Sequence, residues 1–183
     1  MNTEPTVVLG VSGSIAAYKA CELTSGLRKA GCRVFVAMTP EAAKLVTPLT
    51  FQTLSRNPVL IDVFEEQAGW QPGHIDLADR ADLLLIAPAT AHLIAELAHG
   101  LAGNAISTIA LATLAPILIA PAMNGKMWQH PATTANLATL RARGAHFVDP
   151  ELGELACGYE GVGRLASGEI ILQRALALLD RSV

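Results

Sequence analysis

The stretch Val7-Val8-Leu9-Gly10-Val11-Ser12-Gly13-Ser14-Ile15-Ala16-Ala17-Tyr18-Lys19 decides the fold. The apolar run Val7 to Val11 is too short for a helix and rich in valine, so it reads as a strand buried on both faces. It enters a turn at Ser12-Gly13-Ser14, and from Ser14 to Ala30 the spacing is helical. Strand, tight turn and helix open a parallel βαβ unit, in which unpaired N–H groups and the helix dipole suit an anion. The turn is not GxGxxG, and the next candidate strand ends at Met38-Thr39 rather than at an Asp or Glu able to hold a ribose. Both features count against a dinucleotide. The serines beside Gly13 suit the terminal phosphate of a mononucleotide such as FMN. In the plainer reading Ser14 only caps the helix and Gly13 only turns the chain.

Outward from this unit the pattern repeats. Further strands are expected at Arg33 to Met38, Leu83 to Ala87, Ile117 to Ala120 and His146 to Val148. Helices are expected at Ala91 to Gly100, Asn104 to Thr113, Thr133 to Arg143 and Gly168 to Asp180. The alternation predicts an α/β fold with a doubly wound, mainly parallel sheet, Rossmann-like or flavodoxin-like, in one domain over 1–183. Three strands end in small, polar or proline-containing turns: Val-Ser-Gly-Ser, Ala-Pro-Ala-Thr and Ala-Pro-Ala-Met-Asn. Ligands of open α/β sheets sit outside the carboxyl ends of the strands, so these turns should meet at one site. The polar stretch Glu65 to Gly73 reads as a loop leading to His74. Asp149 to Gly168, rich in glycine, reads as an irregular lid or flap.

Composition narrows the function classes. Of 183 residues 51% are hydrophobic and 16% charged, so much of the chain belongs in a core or in subunit contacts, and a homo-oligomer is expected. With a net charge of −3 and 13 scattered Lys and Arg residues there is no basic stripe for nucleic acid. Cys21, Cys32 and Cys157 cannot all pair within one chain and have no metal-binding spacing, which fits a reducing cytoplasm and no metal. No stretch reads as membrane-spanning.

Three groups could carry chemistry. His74 can accept a proton near neutral pH, although a lone histidine is more often structural. The Asn124 amide, in Pro121-Ala122-Met123-Asn124, can donate to a carboxylate or simply cap a helix. Cys157, in Ala156-Cys157-Gly158-Tyr159-Glu160-Gly161-Val162-Gly163-Arg164, has a thiol that is mostly protonated at neutral pH and can act as an acid. Cys21 and Cys32 fit apolar packing better.

Together GVSGSIAAYK, His-Ile-Asp-Leu, PATA, PAMNGKMW and ACGYEGVGR resemble the homo-oligomeric flavin-containing cysteine decarboxylases, from about Val7 to Arg164. The likeness is greatest to the branch acting on 4′-phosphopantothenoylcysteine in coenzyme A biosynthesis. The resemblance implies that His74 is the base, that Asn124 binds the substrate carboxylate and that Cys157 is a late proton donor. It places FMN against Ser12, Gly13, Ser14, Ile15, Thr39, Thr90, Ala91, His92 and Ala122. Substrate contacts are expected from Met123, Asn124, Lys126 and Arg164, with Lys19 a further basic candidate for its phosphate. The family forms trimers or assemblies of trimers, with His74 approaching a neighbour's flavin, and its members are often fused to the synthetase that makes the substrate. The chain departs from the common pattern at His92, where Asn is usual, and at Gly103, where Asp is frequent.

The chemistry explains the set. A cysteine carboxylate has no electron acceptor beside it, so oxidation must precede loss of CO₂. If His74 takes the thiol proton while the β-carbon gives hydride to the flavin, the resulting thioaldehyde can accept the electrons that CO₂ leaves behind. The enethiolate so formed is protonated by Cys157 and receives the hydride back. A branch that decarboxylates the C-terminal cysteine of a peptide stops at the enethiol and needs no second acid. A flavin prenyltransferase, an electron-transfer flavodoxin and a non-catalytic regulatory flavoprotein are more distant readings.

Overall fold

The structure, a computed structural model, describes residues 4–64, 72–154, 158 and 160–180. Its strands are β1 (Thr6–Val11), β2 (Arg33–Met38), β3 (Val59–Leu60), β4 (Leu83–Ala89), β5 (Ile117–Pro121), β6 (His146–Phe147), β7 (Glu151–Glu154) and β8 (Glu160–Arg164). A short 3-10 turn (Ile15–Tyr18) precedes α1 (Lys19–Lys29), followed by α2 (Pro40–Leu45), α3 (Pro48–Ser55), α4 (Gly73–Arg80) and α5 (Ala91–His99). Then come α6 (Ala105–Ala112), α7 (Gly125–Trp128), α8 (Pro131–Ala142) and α9 (Gly168–Leu179). Among the described residues six strands form one parallel sheet, ordered β3-β2-β1-β4-β5-β6, and β7 and β8 form a separate antiparallel hairpin.

Every residue of β1 and β4 is buried, because alternate side chains serve two cores. Val7, Leu9 and Val11 pack with Leu23 and Leu27 of α1 and Ile171 of α9. Val8, Leu84 and Ile86 pack with Ile94 of α5 and with Ile106 and Ile109 of α6. Helices therefore cover both faces of the sheet, as the alternation predicted. Gly10 marks the closest approach of α6, since a Cβ there would lie 2.8 Å from Ile106 Cγ2.

At the carboxyl edge the helices begin on side-chain oxygens. Thr39 Oγ1 accepts from the Ala42 amide, Thr90 Oγ1 from Leu93, Asn104 Oδ1 from Ile106 and Ser107, and Asn124 Oδ1 from Lys126. Each cap contributes about 1 kcal/mol, and those of Thr39, Thr90 and Asn124 fix where α2, α5 and α7 leave the ends of β2, β4 and β5.

Several elements differ from expectation. β4 and β5 run on through their prolines to pair Ala89 with Pro121. Two helices lie where none was expected, α2 and α3, and Pro40 and Pro48 occupy their first turns, where a missing N–H costs nothing. β3 has only two residues, too few to show alternation. His74 lies in a helix, α4, that starts on Gly73, the last residue of the polar stretch, of which residues 65–71 lie outside the described residues. The segment expected to be an irregular flap holds the β7–β8 hairpin, whose glycines hide its strand character because they carry no side chain to alternate.

Candidate active site

The turns after β1, β4 and β5 line one cavity of about 770 Å³, a size typical of small-molecule sites. It opens where the strand order reverses, between β1 and β4. Gly13, Ser14 and Ile15 form one wall, Thr90 a second, and Ala122, Met123 and Asn124 a third. The hairpin covers it, contributing Glu154, Gly163 and Arg164.

The first wall is a row of donors. Ser14 Oγ accepts from the Ala16 amide at 3.3 Å and so caps the 3-10 turn, leaving the hydroxyl proton available. The amides of Gly13 and Ile15 have no acceptor among the described residues. Two N–H groups and one O–H suit the terminal phosphate of a mononucleotide. Gly13 is also required by packing: a Cβ would lie 2.5 Å from Cβ of Glu41 at the start of α2.

The third wall is set by Asn124. With its oxygen bonded to the Lys126 amide at 2.9 Å, the orientation of the carboxamide is fixed. The Met123 amide donates to the Gly163 carbonyl at 3.0 Å, which holds β8 across this segment.

Two cations, Lys19 and Arg164, line the cavity. Arg164 donates to Glu151 Oε2 at 3.1 Å, and the Ser167 amide donates to Glu151 Oε1 at 2.9 Å. The Ser167 amide foremost holds the Glu151 carboxyl below its ordinary value; burial opposes it, and Arg164 and Lys19 add to the lowering.

Other expected residues lie elsewhere. Ser12 and Thr39 are buried behind the wall, at 1% and 6% exposure, and do not line the cavity. Nor do Ala91 and His92; His92 is exposed and points toward Glu96, Nε2 to Oε1 3.8 Å. Lys126 is exposed and off the cavity. His74 is half-buried in α4 and does not line its own chain's cavity, and its buried Nδ1 has no hydrogen-bond partner among the described residues. Cys157 lies outside the described residues.

Tyr18, Met127 and Glu154 also line the cavity and were not singled out from sequence. Helical spacing from Ser14 to Tyr18 is the signal that could have found the first. Among the described residues no group of three or more His, Cys, Asp and Glu could hold a metal ion, and no helix is long and apolar enough to cross a membrane.

Residues 1–179 match the Flavoprotein family. The chain is 52% identical over 169 residues to the coenzyme A biosynthesis bifunctional protein CoaBC of Bacillus subtilis, a match covering 92% of this chain and 42% of that protein. It thus spans about two fifths of the length of that relative. It is 46% identical over 170 residues to a probable phosphopantothenoylcysteine decarboxylase of Streptococcus mutans, covering 92% of this chain and 95% of that one. A cysteine-to-serine mutant of PPC decarboxylase complexed with pantothenoylaminoethenethiol superposes with a TM-score of 0.87 at 28% identity, covering 97% of this chain and all of the other. The FMN-dependent cysteine decarboxylase SpaF superposes with a TM-score of 0.84 at 29% identity, covering 96% and 97% of the two chains.

Proposed function

The chain belongs to the Flavoprotein family, and on that premise we propose that it decarboxylates 4′-phosphopantothenoylcysteine to 4′-phosphopantetheine, with FMN held in the cavity at the strand ends. The observation that carries the proposal is the meeting, in one cavity, of a phosphate-type donor turn, the Asn124 amide and two cations. The whole-length likeness to the Streptococcus mutans relative supports the choice of substrate.

FMN, when bound, supplies the reversible two-electron acceptor that the reaction needs. The Gly13 and Ile15 amides and the Ser14 hydroxyl hold its phosphate. Asn124 receives the substrate carboxylate as a neutral donor, so the anion is oriented without the ion pair that would oppose its departure as CO₂. Lys19 and Arg164 take the phosphate end of the substrate, with Glu151 setting the position of Arg164. Lys126, exposed and away from the cavity, has no part in this reading.

His74 removes the thiol proton. Because it does not line its own chain's cavity, it serves the cavity of a neighbouring copy, and the working unit is a trimer or an assembly of trimers. The exposed Ile15, Tyr18 and Met127 at the cavity wall supply apolar surface for that contact. Cys157 returns a proton late in the cycle, and the hairpin excludes water meanwhile. A neighbouring or fused synthetase would supply the substrate in the cytoplasm.

The test is release of labelled CO₂ from substrate carrying the label in its cysteine carboxylate. Stoichiometric release by the FMN-loaded protein is expected, and none from a peptide ending in cysteine. Release from the peptide alone would replace this reading with the oxidative branch.

A further inference from the structure

The Ser12 side chain, 1% exposed, joins two walls of the cavity without facing it. Its hydroxyl donates to the Pro88 carbonyl at 2.8 Å and accepts from the Thr90 amide at 2.9 Å. The Ser12 amide donates to the same Pro88 carbonyl at 3.2 Å. The β1–β4 ladder has its last register pair at Gly10 and Ile86, so Ser12 continues the connection where strand pairing has stopped.

A hydroxyl has one proton. Here it is committed to Pro88, and what remains of the oxygen can only accept, which is the wrong polarity for a phosphate. Ser12 therefore cannot serve the anion as Ser14 can, although the two flank the same glycine.

We propose that Ser12 is a positioning residue: it fixes the distance between the Gly13–Ile15 wall and the Thr90 wall, and governs ligand binding through both without touching the ligand. The inference rests on the assignment of the cavity to a flavin mononucleotide. A residue contacting only the phosphate should matter for FMN and not for riboflavin. A residue that spaces two walls should matter for both.

Dissociation constants of the apo-protein for FMN and riboflavin, read from quenching of flavin fluorescence, separate the two cases. Ser12→Ala is expected to weaken both ligands by a similar factor, about tenfold for the loss of two buried hydrogen bonds. Ser14→Ala is expected to weaken FMN and leave riboflavin within about twofold. Ser12→Thr, which keeps the hydroxyl, should restore both to within about threefold. Loss confined to FMN in Ser12→Ala, or no loss at all, would overturn the proposal. If Ser12→Ala does not fold, Ser12→Cys, a weaker donor of similar size, is read against the same pattern. Wild-type protein that binds neither flavin would refute the cavity assignment instead. Amide exchange at Thr90 in the apo-protein then still judges the staple: at least about tenfold faster exchange in the Ser12 variant supports it, and equal exchange refutes it.

Discussion

The Met123 amide donates to the carbonyl of Gly163 at 3.0 Å, and this bond seats the β7–β8 hairpin on the segment carrying Asn124. The contact leaves no room for a side chain. Gly163 has φ of 152°, and a Cβ built on it would lie 2.2 Å from the Met123 carbonyl oxygen. The hairpin and the segment carrying the Asn124 amide are thus one mechanical unit.

Gly163→Ala should lift the hairpin from the cavity. The expected result is a loss of at least about tenfold in kcat/KM with a stability change of about 2 kcal/mol or less, because the sheet does not depend on the hairpin. Steady-state kinetics alongside urea unfolding check this, and unchanged kcat/KM would contradict the coupling.

Docking of the hairpin should also fail in acid. Glu151 is held below its ordinary value chiefly by the Ser167 amide, then by Arg164 and Lys19. A carboxyl depressed in the folded state contributes stability that is fully present above its unfolded pKa and lost as pH falls through the folded one. Protection of hairpin amides from exchange should therefore be flat above about pH 5 and fall below about pH 4. Glu151→Gln should lower protection at neutral pH and remove this acid-dependent loss. An unchanged acid limb would show that another group controls it.

The two departures from the family pattern meet at one buried carboxylate. Glu96 accepts from Asn104 Nδ2 at 2.7 Å, His92 stands 3.8 Å away, and a Cβ at Gly103 would lie 2.6 Å from Glu96 Oε1. Gly103→Asp would force a second carboxylate onto Glu96 and should cost about 2–3 kcal/mol in urea unfolding. His92→Asn, at an exposed side chain, should change stability by about 0.5 kcal/mol or less.

Much of the fold was readable because β1, β2, β4 and β5 are apolar runs, buried nearly throughout, and all but β2 end in distinctive turns. Elements without a long period were not. β3 is two residues, α2 and α3 begin on prolines, and the hairpin is built on glycines. In the site, the donor character of Gly13 to Ile15 and the convergence of Thr90 and Asn124 followed from strand-end logic. The hydrogen bonds of Ser12 did not, because its partners Pro88 and Thr90 lie more than seventy residues away in sequence. Nor could spacing reveal that Lys126 points off the cavity while Lys19 lines it.

That difference between the lysines is measurable. Lys19→Met should lower kcat/KM for the phosphorylated substrate by about tenfold or more, the scale of one lost charge-assisted contact, and leave the dephosphorylated analogue unchanged. Lys126→Met should alter neither by more than about twofold. Equal losses for both substrates in Lys19→Met would assign that lysine to folding or to the cofactor.

His74 and Cys157 should fail at different stages. His74→Asn is expected to abolish both CO₂ release and formation of the saturated thiol. Cys157→Ser is expected to retain CO₂ release while accumulating a product two hydrogens poorer. Equal and full loss in both variants would refute this order of proton transfers.

On the proposed function, this cavity carries out a decarboxylation that ends at the saturated thiol. Mass analysis of the product formed by the FMN-loaded wild-type protein from 4′-phosphopantothenoylcysteine tests it most directly. Substrate less CO₂, as 4′-phosphopantetheine, is expected; a product lacking two further hydrogens, or unchanged substrate, would overturn the proposed function.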